Sequence, residues 1–439
     1  MRVKMTCAVA VLAAMAMALP ASSLAKGSKV IRLDSGESIQ DAVNRAKPGT
    51  TIKLAEGTYA GSVLIDKDGI ELVGEGRKKT KIVPPATPAA GGECVDPSAP
   101  EPVFGICVFD VDQEFNPLST VEDVEISRLS VEGFGIGIIF FHTRDGEITR
   151  TIESDYGEYG IFVLDSSGTR IARNVTYNSV EGVNPEAGIY VGDSPNADAT
   201  VWKNVTYGNH DGIFIRDAAH GKLLSNKTFG NCLGIVFLNT DETAGDPPGE
   251  PVDVAHWLAK DNLVAANNRT CPSAEGVPPL SGIGIAVLGG VDIHLIDNGI
   301  YGNKTPAGFE SAFGGGVLVV SSPEFTPPKP STGTKVAFNT ALGNDPDLFW
   351  DEQGGASSFF GNDCLTSQPD GLCDDPDEHG DGGHGDHGDD RGDKDDDRGN
   401  ERHKGDRHPR GDGKRNHAKH KTHKSHKKNK RQKKRDRDD

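Results

Sequence analysis

Asp165, Asp193 and Asp217 each stand five residues after a glycine that opens a short apolar segment: Gly160-Ile-Phe-Val, Gly188-Ile-Tyr-Val and Gly212-Ile-Phe-Ile. The same position holds His142 after Gly137 and Asn239 after Gly234. If these segments lie side by side, the carboxylates fall about 4.8 Å apart. Like charges so placed raise one another's proton affinity or share a cation such as Ca²⁺. The second residue after each glycine is Phe162, Tyr190 or Phe214, and Arg216 directly precedes the last aspartate. With residues one and three facing inward, these rings face outward. Rings beside carboxylates and an arginine suit a sugar chain, since rings stack on its faces and polar groups bind hydroxyls or uronate carboxylates. Arg216, or Ca²⁺ held by Asp165, Asp193 and Asp217, would neutralise a uronate carboxylate, and His142 or His210 would move the adjoining C5 proton. Each aspartate is also compatible with ordinary turn chemistry, in which the side chain caps its own backbone. The rings, like a second series at Tyr177, Tyr207, Phe229 and Tyr301, are also compatible with filling under a loop.

These residues need a scaffold that repeats. The glycine-apolar unit recurs at Gly137, Gly160, Gly188, Gly212, Gly234, Gly284 and Gly316. The first intervals are 23, 28, 24 and 22 (160−137, 188−160, 212−188, 234−212). A second repeat interleaves with it: Asn204-Val-Thr-Tyr-Gly-Asn209, Asn226-Lys-Thr-Phe-Gly-Asn231, Asn298-Gly-Ile-Tyr-Gly-Asn303 and Asn339-Thr-Ala-Leu-Gly-Asn344, with looser copies at Asn174 and Asn262. One glycine in about eight residues (55 of 439) and few aromatic residues suit short strands and tight turns. A period of this size, with no helical pattern inside it, predicts one rung of a parallel β-solenoid per repeat. Stacking then sets like residues in columns, and each Asn bonds to the Asn of the next rung.

Upstream, residues 30–33, 51–54, 63–65, 70–73 and 81–83 read as strands, and 35–49 as one short amphipathic helix with a capping start and a Pro-Gly stop. Such a helix would plug the open end of the solenoid. Ser38-Ile-Gln-Asp-Ala-Val, Pro48-Gly-Thr-Thr-Ile-Lys-Leu-Ala-Glu-Gly-Thr-Tyr59 and Asp68-Gly-Ile-Glu-Leu-Val-Gly-Glu-Gly76 resemble the opening of pectin-lyase-like right-handed β-helix proteins, including NosD-type members. The later repeats resemble their parallel β-helix repeats. The resemblance spans residues 29–373 and implies an all-β fold: a single-stranded right-handed parallel β-helix with a short N-terminal capping helix. It leaves activity open, because the fold serves lyases, hydrolases, epimerases, tailspikes and non-catalytic surface proteins. Asn239-Thr240-Asp241 resembles one polygalacturonase motif, but the companion Asp-Asp, Gly-His-Gly and Arg-Ile-Lys motifs are missing from the folded region. The Arg-x-Pro-x-x-Arg pattern of pectate lyases is absent too. His210-Asp211 matches only the last half of the Asp-Pro-His-Asp of alginate epimerases.

Residues 1–25 read as a secretory leader: a basic start, an apolar run from Met5 to Leu19, then Ser23-Leu24-Ala25. No segment is long enough for a membrane span. Six cysteines follow, and the locally closest pairing is Cys94–Cys107, Cys232–Cys271 and Cys364–Cys373, with other pairings open. Residues 26–373 form the β-helix domain. With the leader they carry 27 basic and 47 acidic groups, a net of −20, which argues against nucleic acid as a partner for the folded part. Residues 374–439 form a His/Asp/Gly-rich, then Lys/Arg-rich tail expected to be disordered. The reading that joins these features is a secreted protein binding an extracellular polysaccharide or cell-wall polymer, as a uronate lyase or epimerase if catalytic. The alternative is a non-catalytic surface or matrix protein held to an anionic wall by its basic tail.

Overall fold

The structure, a computed structural model, describes residues 29–86, 94, 104–179, 187–240, 252–274 and 277–374. The leader expected at 1–25 lies outside these residues, as does the tail beyond Asp374.

Short strands stack in parallel in three files, one strand per file in each regular coil. The first file runs from Val30–Leu33 and Thr51–Leu54 through Glu125–Ser127, Glu147–Thr149, Arg170–Ala172 and Ala199–Trp202 to Ser358–Phe360. The second runs from Gly57–Ala60 to Asp363–Cys364. The third begins at Val63–Ile65 and Ile106–Val108 and then lengthens to six residues or more at Ile136–Phe141, Tyr159–Leu164 and Ala187–Ser194. The next strand, Asp211–Leu224, turns from the third file into the first without a break.

Register is kept without slippage where the repeat is clearest. Ile161 pairs with Ile189, Ile189 with Ile213, Ile213 with Ile235 and Ile235 with Ile285. All five are fully buried, each stabilising the stack by roughly 1.5–3 kcal/mol relative to exposure. The glycines fall into one file as the spacing predicts. A Cβ placed on Gly160 would lie 2.7 Å from the Gly188 carbonyl oxygen, and one on Gly188 would lie 2.8 Å from that of Gly212. Side chains are thus excluded where one coil crosses the next.

The asparagines form two buried ladders. In the first, Asn204 donates both its backbone N–H and its Nδ2 to Asn226 Oδ1, each at 3.0 Å. Asn226 does the same to Asn262, Asn262 to Asn298 and Asn298 to Asn339. The second runs from Asn209 through Asn231, Asn267 and Asn303 to Asn344 and ends on Asp347. Each amide also donates to a main-chain carbonyl, so a polar column survives in a dry interior.

The capping helix is shorter than the pattern suggests, Ile39–Arg45, with Ser38 Oγ accepting from the Asp41 N–H at 3.1 Å. Ile39, Ala42 and Val43 are buried. Gln40 accepts from the Leu64 N–H at 2.7 Å and donates to its carbonyl at 3.1 Å. One side-chain amide therefore stands in for the missing strand at the open edge of the third file. The three disulfides are Cys94–Cys107, Cys232–Cys271 and Cys364–Cys373.

The core also holds a carboxyl. Glu153 is fully buried between Val131 and Thr176 of the neighbouring coils. Burial pushes its carboxyl up to about 8, with Thr151 opposing. Its folded value lies above the unfolded one, so this group's contribution is fully present below pH 4.5 and is lost as pH rises through 8. Glu153→Gln is expected to lose that slope: urea midpoints at pH 5 and pH 8 should differ less in the variant than in the parent chain.

Candidate functional site

The long strands of the third file end in a common bend. His142, Asp165, Asp193 and Asp217 occupy the same place in four consecutive coils, all with left-handed backbone (φ 53, 44, 46 and 44°). The His142 N–H donates to the Leu164 carbonyl and the Asp165 N–H to that of Gly192, both at 3.2 Å. A bend of this hand favours Asp over β-branched or bulky residues, which is the local reason for the aspartates.

The side chains then differ. His142 Nδ1 and Asp165 Oδ2 pair at 2.7 Å, with about a third of each side chain exposed. Asp217 is buried. Its Oδ1 accepts from the Thr240 N–H at 2.7 Å, its Oδ2 from the Thr240 hydroxyl and from Arg216 Nε at 3.3 Å. Asp193 lies between these two, partly covered. Burial is the main cause that raises its carboxyl to about 6; Arg216 opposes this, and Asp217 and Asp165 add to it. Asp217 is likewise raised by burial, against its bonds to Thr240. Burial works against the Arg216 charge, but Tyr190, Asp193 and Asp217 outweigh it and hold the guanidinium protonated. Its side chain keeps 24% exposure. The row is therefore graded: an open His–Asp pair, a carboxyl that exchanges its proton near neutral pH, and a buried carboxylate–guanidinium end.

The outward column of rings is present, but it is packed rather than open. Phe162, Tyr190 and Phe214 pair in register. Tyr190 keeps 2% exposure and Phe214 9%, while Phe162 is half-buried. Phe162 and Tyr190 stack at 4.7 Å, and Phe214 meets Tyr190 edge-on at 5.4 Å. A second apolar cluster, including Cys232, Cys271, Leu280 and Leu318, continues this outer face. Sequence reading missed two contributors. Tyr159 packs at 4.5 Å on Phe162 and 5.1 Å on Tyr190, although its aromatic identity at the strand start was visible. Gly192 leaves room for the Tyr190 ring, which covers the place a Cβ would take. Burial pushes the Tyr190 hydroxyl well above its ordinary value, so it acts as a neutral donor or acceptor.

His210 does not join His142. It lies at the other end of the strand, just before Gly212, with Nδ1 3.1 Å from Asp211 Oδ1. Nor do the three aspartates gather as a cation cage: Asp165 is turned to His142, and Asp217 to Thr240 and Arg216. Among the described residues, no three His, Cys, Asp or Glu side chains converge to hold a metal ion. Three further His residues come together. His220 and His256 stack at 4.9 Å, and His256 and His294 both bond to Asp292, at 2.9 and 3.0 Å.

Residues 118–327 match the family model described as the right handed beta helix region. No curated protein matches the chain. Among solved structures it is similar to the A-module of mannuronan C-5 epimerase AlgE4 from Azotobacter vinelandii, at 18% identity over 75% of this chain and 90% of that one, TM-score 0.49. It is also similar to the periplasmic alginate epimerase AlgG (15%, 76% and 84%, TM-score 0.40). A third is the catalytic unit of the GH87 alpha-1,3-glucanase from Streptomyces thermodiastaticus (13%, 79% and 67%, TM-score 0.46). These likenesses are of general architecture and say nothing of activity. Residues 118–327 thus match a right-handed β-helix region, and the described coils on either side continue its files in register, so the fold of the described residues is a right-handed parallel β-helix.

Proposed function

We propose that this chain binds an extracellular polysaccharide along the bend row of the third file, and that its chemistry there, if it turns substrate over, is proton transfer at C5 of a uronate, as in a lyase or epimerase. The observation that carries the reading is the row itself: His142–Asp165, Asp193 and Arg216–Asp217 in four consecutive coils, bordered by Phe162 and Tyr159. Three disulfides suit an oxidising, extracellular setting. Arg216 would meet the uronate carboxylate. That contact lowers the cost of charge building on the carboxylate as the C5 proton leaves. The His142–Asp165 pair would accept or return that proton, and Asp193, near its own proton-exchange point, would serve a leaving oxygen. A Ca²⁺ ion remains an addition that the present carboxylate geometry does not require.

The test is a screen of the purified full chain against alginate, polygalacturonate and neutral dextran, with and without Ca²⁺. Saturable binding to a polyuronate, with unsaturated ends or C5 deuterium uptake from heavy water, supports both halves of the reading. Binding without either leaves a non-catalytic glycan-binding protein. No binding to any of the three polymers removes the reading.

A further inference from the structure

A different bend, between the first and second files, carries a charge pattern of its own. Arg128, Arg150, Arg173 and Lys203 follow the first-file strands of four consecutive coils, all with left-handed backbone (φ 61, 54, 62 and 55°). Each N–H donates to the next coil: Arg128 to Thr149, Arg150 to Ala172, Arg173 to Trp202 and Lys203 to Leu224, at 2.9–3.2 Å. The four bend positions are therefore stacked one per coil, their backbones about 4.8 Å apart. All four are exposed. None has an ion-pair partner among the described residues. Arg77 adds a fifth, its Nη1 donating to the Arg173 carbonyl at 3.3 Å. On the first-file strands, Glu147 pairs with Arg170, and Glu71 accepts from Thr51.

Trp202 borders the stripe. Lys203 Nζ lies 4.6 Å, Arg173 Cζ 4.8 Å and Arg170 Cζ 5.5 Å from its ring centre. The pattern then stops. The same bend in the next coils holds Ser225, Asp261 and Asp297. Arg128 Nη2 donates to the Glu75 carbonyl at 3.1 Å, but a run of cations without ion-pair partners is costly by self-repulsion and gains from a polyanion of matching spacing. One charge per coil is close to the length of one pyranose residue.

We propose that the Arg128–Arg150–Arg173–Lys203 stripe binds a polyuronate chain laid along the solenoid axis, one carboxylate per coil, over about four sugar residues. The first-file strands separate this bend from the bend row of the third file, and the proposal stands whether or not that row binds glycan. Trp202 beside the stripe serves as the reporter.

The experiment uses full-length chains, so that the basic tail is common to all of them. Tryptophan fluorescence is titrated with galacturonate oligomers of two to eight residues at low salt. The signal is expected to tighten up to the tetramer and then level off, to weaken with added salt, and to vanish in Trp202→Phe. The combined variant Arg128→Gln, Arg150→Gln, Arg173→Gln and Lys203→Gln should lose at least tenfold in affinity, with its circular dichroism unchanged. Arg-to-Lys replacement at the three arginines should retain binding. Unchanged affinity in the Gln variant overturns the proposal. So does equal loss in the Lys variant, or a stripe that takes single-stranded DNA and no polyuronate.

Discussion

Gly212→Ala is expected to destabilise the chain by about 3 kcal/mol, the upper range for forcing one extra methyl into a close-packed interior. A Cβ at this site would stand 2.5 Å from the Gly234 carbonyl oxygen, 2.7 Å from Thr206 Oγ1 and 2.9 Å from Asn231 Nδ2. The backbone fixes the direction of that bond, so no rotamer relieves it. The coils must separate, and the first hydrogen bond to break is in the Asn209–Asn231 rung, where the Asn209 N–H donates to Asn231 Oδ1 at 3.0 Å. Gly355→Ala is the control, since nothing lies within 4 Å of its Cβ position. Urea unfolding followed by circular dichroism should show a large drop in midpoint for the first variant and almost none for the second.

Arg216→Ala is expected to cost at least tenfold in affinity for a polyuronate read at the third file. Arg216 is the cation that opposes the rise in the Asp193 carboxyl, and it bonds to Asp217. Losing it removes the partner for the incoming carboxylate and leaves a buried Asp217 with one donor fewer, a combination that commonly costs about 2–5 kcal/mol. The pH profile gives a separate reading. With Asp193 exchanging its proton at about 6, the site is less negative below that pH. A polyanion should therefore bind the parent chain more tightly as pH falls from 7.5 to 5. Asp193→Asn should flatten the change across this window, because no proton is then taken up at that position.

The fold was legible because solenoid physics writes itself into spacing. A glycine at each coil crossing and an Asn at each ladder position must recur with the coil, whatever else the coil carries, and both series predict the observed files. The disulfides were legible for the same reason: each closes a local loop. Side-chain direction was only half legible. Alternation put Ile189 and Val191 inward and Tyr190 outward, but it carries no account of what covers the outer face, so it left open both exposed rings and filling under a loop, and Tyr190 and Phe214 are packed. Arg128, Arg150, Arg173 and Lys203 were overlooked because their shared position follows the first file, whereas the rungs were aligned on the glycine that opens the third. His220 and His256 stand far apart in the chain yet stack in adjacent coils, and His294 joins them through Asp292.

Glycan lying on the bend row of the third file would cover its carboxylates. The most direct measurement is carboxyl labelling with a carbodiimide, read by mass spectrometry, on the full chain with and without the polyuronate that binds it. Asp165 and Asp193 are expected to be shielded by the polymer, while Asp261 and Asp297, on the bend between the first and second files, label as before. Unchanged labelling of Asp165 and Asp193 at saturating polymer would contradict that placement.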